Sequence, residues 1–178
     1  LPDADRDHIQ GRADAPIALL EYGDFECPAC GQAYPIVKVL QEQLTERLCF
    51  AFRHFPLTNV HPYAEHAAEA AEASGAQGRF WEMHDILFEN QDALDDQSLF
   101  AYANTLDLDV ERLIREVLNE SYGLRVREDF KAGVRAGVNG TPTFFINGER
   151  YDGPRDPELF LDALVSHRGS RAPEISFM

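Results

Sequence analysis

An α/β fold is predicted for this sequence: a central mixed sheet flanked by helices, with an all-helical insertion. Three features carry the prediction. The chain opens with a strand–helix–strand pattern, continues through a long stretch with helical spacing and no strand, and closes with a hairpin and a helix. At the first strand-to-helix junction stands Cys27-Pro28-Ala29-Cys30.

Leu1 to Pro16 reads as an extended or loop lead-in, because Gly11 and Pro16 discourage helix. Ile17 to Phe25 is apolar enough for a buried strand, and Gly31 to Glu46 carries apolar residues at helical spacing. Pro35 should kink that helix, since proline lacks a backbone donor and crowds the preceding turn. Leu48 to Phe55, rich in β-formers, predicts a second strand. From His61 to Gly137 the pattern predicts four or five helices, with Asp95-Asp96, Asp107 to Asp109 and Asn119 as caps or breaks. The Phe80-Trp81 cluster reads as core. Thr143 to Ile146, the Asn147-Gly148 turn and Glu149 to Tyr151 form a hairpin. Asp156-Pro157 starts a last helix through Val165, and Ser170 to Met178 shows no periodicity. The strand–helix–strand unit should be parallel with a right-handed crossover, and the hairpin should add antiparallel strands to the same sheet.

Two cysteines separated by two residues at a helix start are the layout of a dithiol/disulfide redox centre. The helix start aims unpaired N–H groups and the positive end of its dipole at the first sulfur, which favours its thiolate. Cys27 is then the attacking thiol, and Cys30, one turn further in, the resolving one. Two other readings compete. A zinc site would need further ligands, and Cys49 with His54, His61 and His66 matches no ligand spacing. A purely structural disulfide across two residues closes too short a loop to stabilise much. Cys49, inside an apolar stretch, reads as a small buried hydrophobe.

The chain has 178 residues, 44% of them apolar and 26% charged, which is the composition of one globular domain. A net charge of −15 repels phosphate backbones and anionic lipid surfaces, so nucleic acid is not expected as a partner. No apolar run has the length of a membrane span. The start, Leu1-Pro2-Asp3-Ala4, is unlike a signal peptide and favours a cytoplasmic location; a leader removed before Leu1 would instead place the protein outside the cytoplasm. No metal, nucleotide or flavin cofactor is expected.

This order, with Cys27-Pro28-Ala29-Cys30 and Gly140-Thr141-Pro142-Thr143-Phe144-Phe145-Ile146-Asn147-Gly148, resembles the DsbA-like branch of the thioredoxin-fold superfamily. Pro35 also falls where that family commonly has its helix-kinking proline. The resemblance covers nearly the whole chain. It implies a single domain, with the thioredoxin-fold part at about 14–58 and 138–168 and the helical insertion at about 59–137. It further implies a cis Thr141–Pro142 peptide packed against the dithiol, where neighbouring backbone pairs with a substrate strand. Glu21, six residues before Cys27, matches the family's buried acid and would accept the proton of Cys30. A solvated strand-edge role is the alternative for Glu21.

The activity so implied is thiol–disulfide exchange with cysteine-containing proteins or low-molecular-weight thiols, coupled to an electron-donor or acceptor protein. Phe25 and Pro28 are expected to shape the apolar rim, and Thr141 and Pro142 to dock the substrate chain. A glutathione-dependent transferase or isomerase of the same fold is one alternative, and a redox-sensing or holdase binding module the other. One departure stands out: Pro28-Ala29 brings no histidine to the dithiol, while Asp24 and Glu26 place negative charge nearby. Those acids should oppose the thiolate, and they place the expected reduction potential in the lower half of the range from thioredoxin, about −270 mV, to DsbA, about −120 mV.

Overall fold

The computed structural model describes residues 1–167. It divides into two compact units, Leu1–Glu21 with Ile36–Phe52 and the segment from Phe144 onward, and Tyr22–Pro35 with Arg53–Thr143.

In the first unit the strands belong to one five-stranded mixed sheet, ordered β1-β3-β2-β4-β5. Strands β2 (Ile17–Gly23) and β3 (Leu48–His54) are buried at every position, as near-continuous apolar runs at a sheet centre require. The lead-in differs from expectation, because β1 (His8–Gly11) pairs antiparallel with β3, His8 opposite Phe52 and Gly11 opposite Cys49. A four-residue edge strand of mixed burial has no periodicity to read; only its pairing reveals it. Gly11 takes φ +83°, and a Cβ there would collide with the Leu48 carbonyl, so this residue both ends the strand and permits the close approach. Strands β4 (Thr143–Ile146) and β5 (Glu149–Tyr151) form the expected hairpin, with Asn147 at φ 51° and Gly148 at φ 89°. Asn147 also accepts from the Ala18 N–H at its Oδ1 and donates its own N–H to the Ala18 carbonyl, both at 2.8 Å. The last helix, α7 (Pro157–Ser166), starts on an Asp156 cap with Pro157 in its first turn. Phe160 buries against Phe144 and stacks on Tyr151. The tail at 170–178 lies outside the described residues.

Helix α1 (Pro28–Leu44) begins at the residue after Cys27 and continues through Pro35. A short 3₁₀ turn, Thr45–Arg47, follows it.

The second unit holds the helical insertion: α2 (Ala64–Gly75), α3 (Phe80–Glu89), α4 (Asp96–Thr105), α5 (Val110–Leu118) and α6 (Gly123–Arg135). Asp95 and Asp109 cap α4 and α5 by accepting from the N–H groups of Ser98 and Arg112. The alanines of α2 let neighbouring helices approach closely, and six of them are buried. At Gly133 of α6 a Cβ would meet the rings of Phe55 and Tyr22, so glycine sets that packing distance. The same region buries carboxylates. Glu72 accepts from His54 Nε2 at 2.8 Å, and Asp129 accepts from the His54 N–H at 3.2 Å. Glu69 Oε2 accepts from the Tyr122 N–H at 2.9 Å, just ahead of α6, while its Oε1 is buried with no hydrogen-bond partner.

Burial pushes the Glu69 carboxyl up to about 7, with the charges of Glu120 and Glu65 adding to it against the bond from Tyr122. Between the ordinary value of 4.5 and about 7, the native state keeps a proton that the unfolded chain has lost. Stability therefore falls as pH rises through that window. Glu69→Gln keeps an acceptor for Tyr122 and removes the ionisation. It should stabilise the protein by about 1–3 kcal/mol at pH 8, with the gain vanishing towards pH 4.5, in denaturant titrations. An equal effect at both pH values would show that the carboxylate is not the cause.

Candidate active site

The site is built on the connection that leaves β2. Asp24 is buried, its carboxylate accepting from the N–H groups of Glu26 and Leu57, both at 2.8 Å, and from His61 Nδ1 at 2.7 Å. Glu26 Oε2 accepts from the Tyr63 N–H at 2.7 Å. The two acids thus tie the connection to the segment after β3. Both acids are engaged by donors.

Cys27 follows, its N–H donating to the Asp24 carbonyl at 3.1 Å, and its own carbonyl receiving the N–H groups of Cys30 and Gly31. Gln91, just after α3, donates Nε2 to the carbonyls of both Phe25 and Cys27, at 2.8 and 2.9 Å. Gly31 leaves the room for this: a Cβ there would collide with the Gln91 amide, whose Cδ would lie only 2.6 Å away.

The Cys27 side chain is 7% exposed and Cys30 is fully buried. The Cys27 thiol donates to the Thr141 carbonyl at 3.4 Å. It is lowered to about 5 from an ordinary value of 9.0. The largest cause is the hydrogen bond from the Cys30 thiol; burial works against it, and Thr141 and the N–H groups of Cys30 and Ala29 add to the lowering. Thr141 Oγ1 is buried with no hydrogen-bond partner. The Thr141–Pro142 peptide is cis, and both residues are partly exposed.

Of the residues singled out from sequence, Cys27, Cys30, Thr141 and Pro142 come together here. Pro28 is exposed at the start of α1. Phe25 is a correction: at 1% exposure it forms no rim. Its ring packs on Phe88 at 4.9 Å, His84 at 5.7 Å and His54 at 6.0 Å, within the aromatic core of the insertion. Glu21 is 3% exposed on β2, which removes the solvated-edge alternative. The histidines weighed as zinc ligands bind separate carboxylates, His54 with Glu72, His61 with Asp24 and His66 with Asp96. His61 and Gln91 are the site residues that sequence reasoning missed. Their partners lie 37 and about 65 residues away, and no local spacing signals such pairs.

Residues 3–165 match the protein-family model described as Thioredoxin. Among curated relatives, the Na(+)/H(+) antiporter NhaA 1 of Salinispora arenicola is 48% identical over 164 residues, which are 92% of this chain and 25% of that protein. The chain thus spans about a quarter of the length of the curated relatives it matches. Among solved structures, a thioredoxin-like oxidoreductase from Silicibacter pomeroyi superposes with a TM-score of 0.81 at 22% identity, covering 92% of both chains. Wolbachia pipientis alpha-DsbA1 superposes with a TM-score of 0.80 at 20% identity, covering 95% of this chain and 94% of its own.

The contact between Gly31 and Gln91 can be tested by a double-mutant cycle. Gly31→Ala should displace the Gln91 amide, and Gln91→Ala should remove it. Each change should cost about 1–2 kcal/mol in denaturant unfolding, because carbonyls at the site lose their donor. The double variant should cost much less than the sum, since the same bonds are lost once. Strict additivity would show that Gly31 and Gln91 act separately.

Proposed function

The chain belongs to the thioredoxin family, with a DsbA-like form of the fold, and on that premise we propose that it is a thiol–disulfide oxidoreductase whose redox centre is Cys27-Pro28-Ala29-Cys30. The observation that carries this reading is the Cys27 thiol, held near 5 by donors from Cys30 and Thr141. At neutral pH such a sulfur stands as a thiolate, the form that attacks disulfides.

In this reading the Cys27 thiolate attacks a substrate disulfide and forms a mixed disulfide, releasing one substrate thiolate. Cys30 then gives up its proton, attacks the Cys27 sulfur and releases the second substrate thiolate, leaving a Cys27–Cys30 disulfide. Glu21 is the proposed acceptor of the Cys30 proton. Thr141 and Pro142, partly exposed beside the sulfur, are the proposed docking edge for a substrate backbone, and exposed Pro28 borders it. The substrates are cysteines of proteins or small thiols, and an electron-exchanging protein would reset the centre. A glutathione-dependent transferase needs one activated sulfur and gives Cys30 no role, whereas here Cys30 makes the largest contribution to the lowered thiol. The similarity to a quarter of an antiporter supports a further reading of context: the fold works as a module joined to, or acting beside, a membrane transporter. If the module is joined to a transporter, an antibody against this region would detect a membrane-bound species of several times its mass; if it acts beside one, the chain would co-purify with the transporter.

Cys27→Ser should abolish insulin-reduction turnover with an electron source. Cys30→Ser should retain attack but accumulate mixed disulfides on Cys27. Adducts on Cys30 in the Cys27→Ser variant would reverse the two roles, and turnover surviving both substitutions would remove the dithiol from the function.

The potential follows from the thiol. Relative to a thioredoxin cysteine near 7, already half ionised at neutral pH, a thiol near 5 favours the reduced form by about fiftyfold. Each tenfold is about 30 mV, so equilibration with glutathione buffers should give about −220 mV. A value near −120 mV would require a further stabiliser of the Cys27 thiolate.

A further inference from the structure

Asp24 and His61 form a pair that disulfide exchange by Cys27 and Cys30 does not by itself require. The Asp24 side chain is fully buried, and the backbone N–H groups of Glu26 and Leu57 already donate to it. His61 adds a third donor at 2.7 Å, which fixes a hydrogen on Nδ1. The ring keeps 17% of its surface exposed, so it exchanges protons with solvent. Its partner residue is also a wall of the redox centre, since the Asp24 carbonyl receives the Cys27 N–H at 3.1 Å. The charged groups that act on the ring are Asp24 and Glu26 from the connection after β2, and Cys27 at the start of α1. All three are negative when ionised.

We propose that the Asp24–His61 pair stores a proton of the redox centre: the imidazole stands protonated opposite the Cys27 thiolate in the dithiol state, and yields that proton when the Cys27–Cys30 disulfide forms. The proposal rests on the thiol–disulfide reading and deepens it. His61 is a positioning residue here, supplying from the loop after β3 the positive charge that Pro28-Ala29 does not. Burial pulls the imidazole down, but the bond and charge of Asp24, followed by the charges of Cys27 and Glu26, outweigh it and leave it raised. Closing the disulfide removes the Cys27 charge and with it part of that support.

The chemistry balances with a glutathione disulfide as oxidant. The Cys27 thiolate attacks one glutathione sulfur, the S–S bond breaks, and one glutathione thiolate leaves. Cys30 loses its proton and displaces the second glutathione as the Cys27–Cys30 bond forms. Two electrons pass from the dithiol to the glutathione disulfide. The two departing thiolates are protonated by the proton from Cys30 and the proton from His61.

The test follows the His61 ring by NMR across pH in the parent protein, in its dithiol and disulfide forms. The midpoint should be higher in the dithiol form by about half a unit or more. In Cys27→Ser it should not respond to reductant. In reduced His61→Gln, which keeps a donor for Asp24, the thiolate absorbance of Cys27 at 240 nm should rise at a pH about one unit higher than in the parent. His61→Lys, which restores the charge, should recover part of that shift. A His61 midpoint equal in both redox forms, or a Cys27 midpoint unmoved in His61→Gln, would overturn the proposal. Failure of the redox reading itself looks different: no Cys27–Cys30 disulfide would form in glutathione buffers. The 240 nm comparison in the reduced protein would then still decide the role of His61.

Discussion

The demand on which the rest of the second unit depends is an anionic sulfur at a place almost closed to water. A charge moved out of water is costly unless hydrogen-bond donors replace the solvent it has lost. At Cys27 those donors are the Cys30 thiol, the N–H groups of Ala29 and Cys30, and Thr141. None of them is a charged side chain. Donors of this kind act only at contact distance, so the backbone from Asp24 to Gly31 has to be held closely in place. The elements around it do that. Asp24 fastens it to Leu57 and His61, Glu26 fastens it to Tyr63, and Gln91 holds the carbonyls of Phe25 and Cys27.

The helical insertion therefore has work beyond covering a surface. It brings Gln91 to the site and receives Phe25 into an aromatic cluster of Phe88, His84 and Tyr34. Its packing also depends on buried acids, which are Glu69, Glu72 and Asp129. Backbone N–H groups and His54 bond to them, and Arg125 pairs with Glu72 and Asp129 at 3.8 and 3.5 Å. Burying acids in this way costs stability, as the raised Glu69 carboxyl shows. In return it fixes the direction of α6 from its first residue, because Glu69 meets the backbone at Tyr122.

What was legible in the sequence was local. The dithiol at a helix start, the Asn147-Gly148 hairpin, the Asp156-Pro157 cap and an insertion of four or five helices are each written within a few turns of chain, and each has a conformational reason at that spacing. What was not legible depends on partners far away. The strand at His8–Gly11 exists because β3 lies some 40 residues on and offers an edge. Phe25 was placed on a rim because it neighbours the dithiol in sequence, yet the chain turns between it and Cys27, and the ring goes to the core. His61 was weighed only as a metal ligand and Gln91 gave no signal, since a loop histidine and a glutamine after a helix have many uses.

The misreading of Asp24 and Glu26 has a more general cause. Two acids beside the nucleophile suggest a site hostile to a thiolate. Formal charge counted along the chain is the wrong variable for a sulfur held in contact with donors. Exposed charges beyond about 10 Å are screened by salt, whereas hydrogen bonds made at contact inside the protein are not. The two nearest acids accept from several donors, and the buried Asp24 also holds the His61 imidazole. An acid next to a cysteine therefore lowers or raises its thiol according to what else the acid binds. Where it recruits a cation its influence turns from repulsion to support, and that outcome is decided by tertiary contacts that residue order does not display.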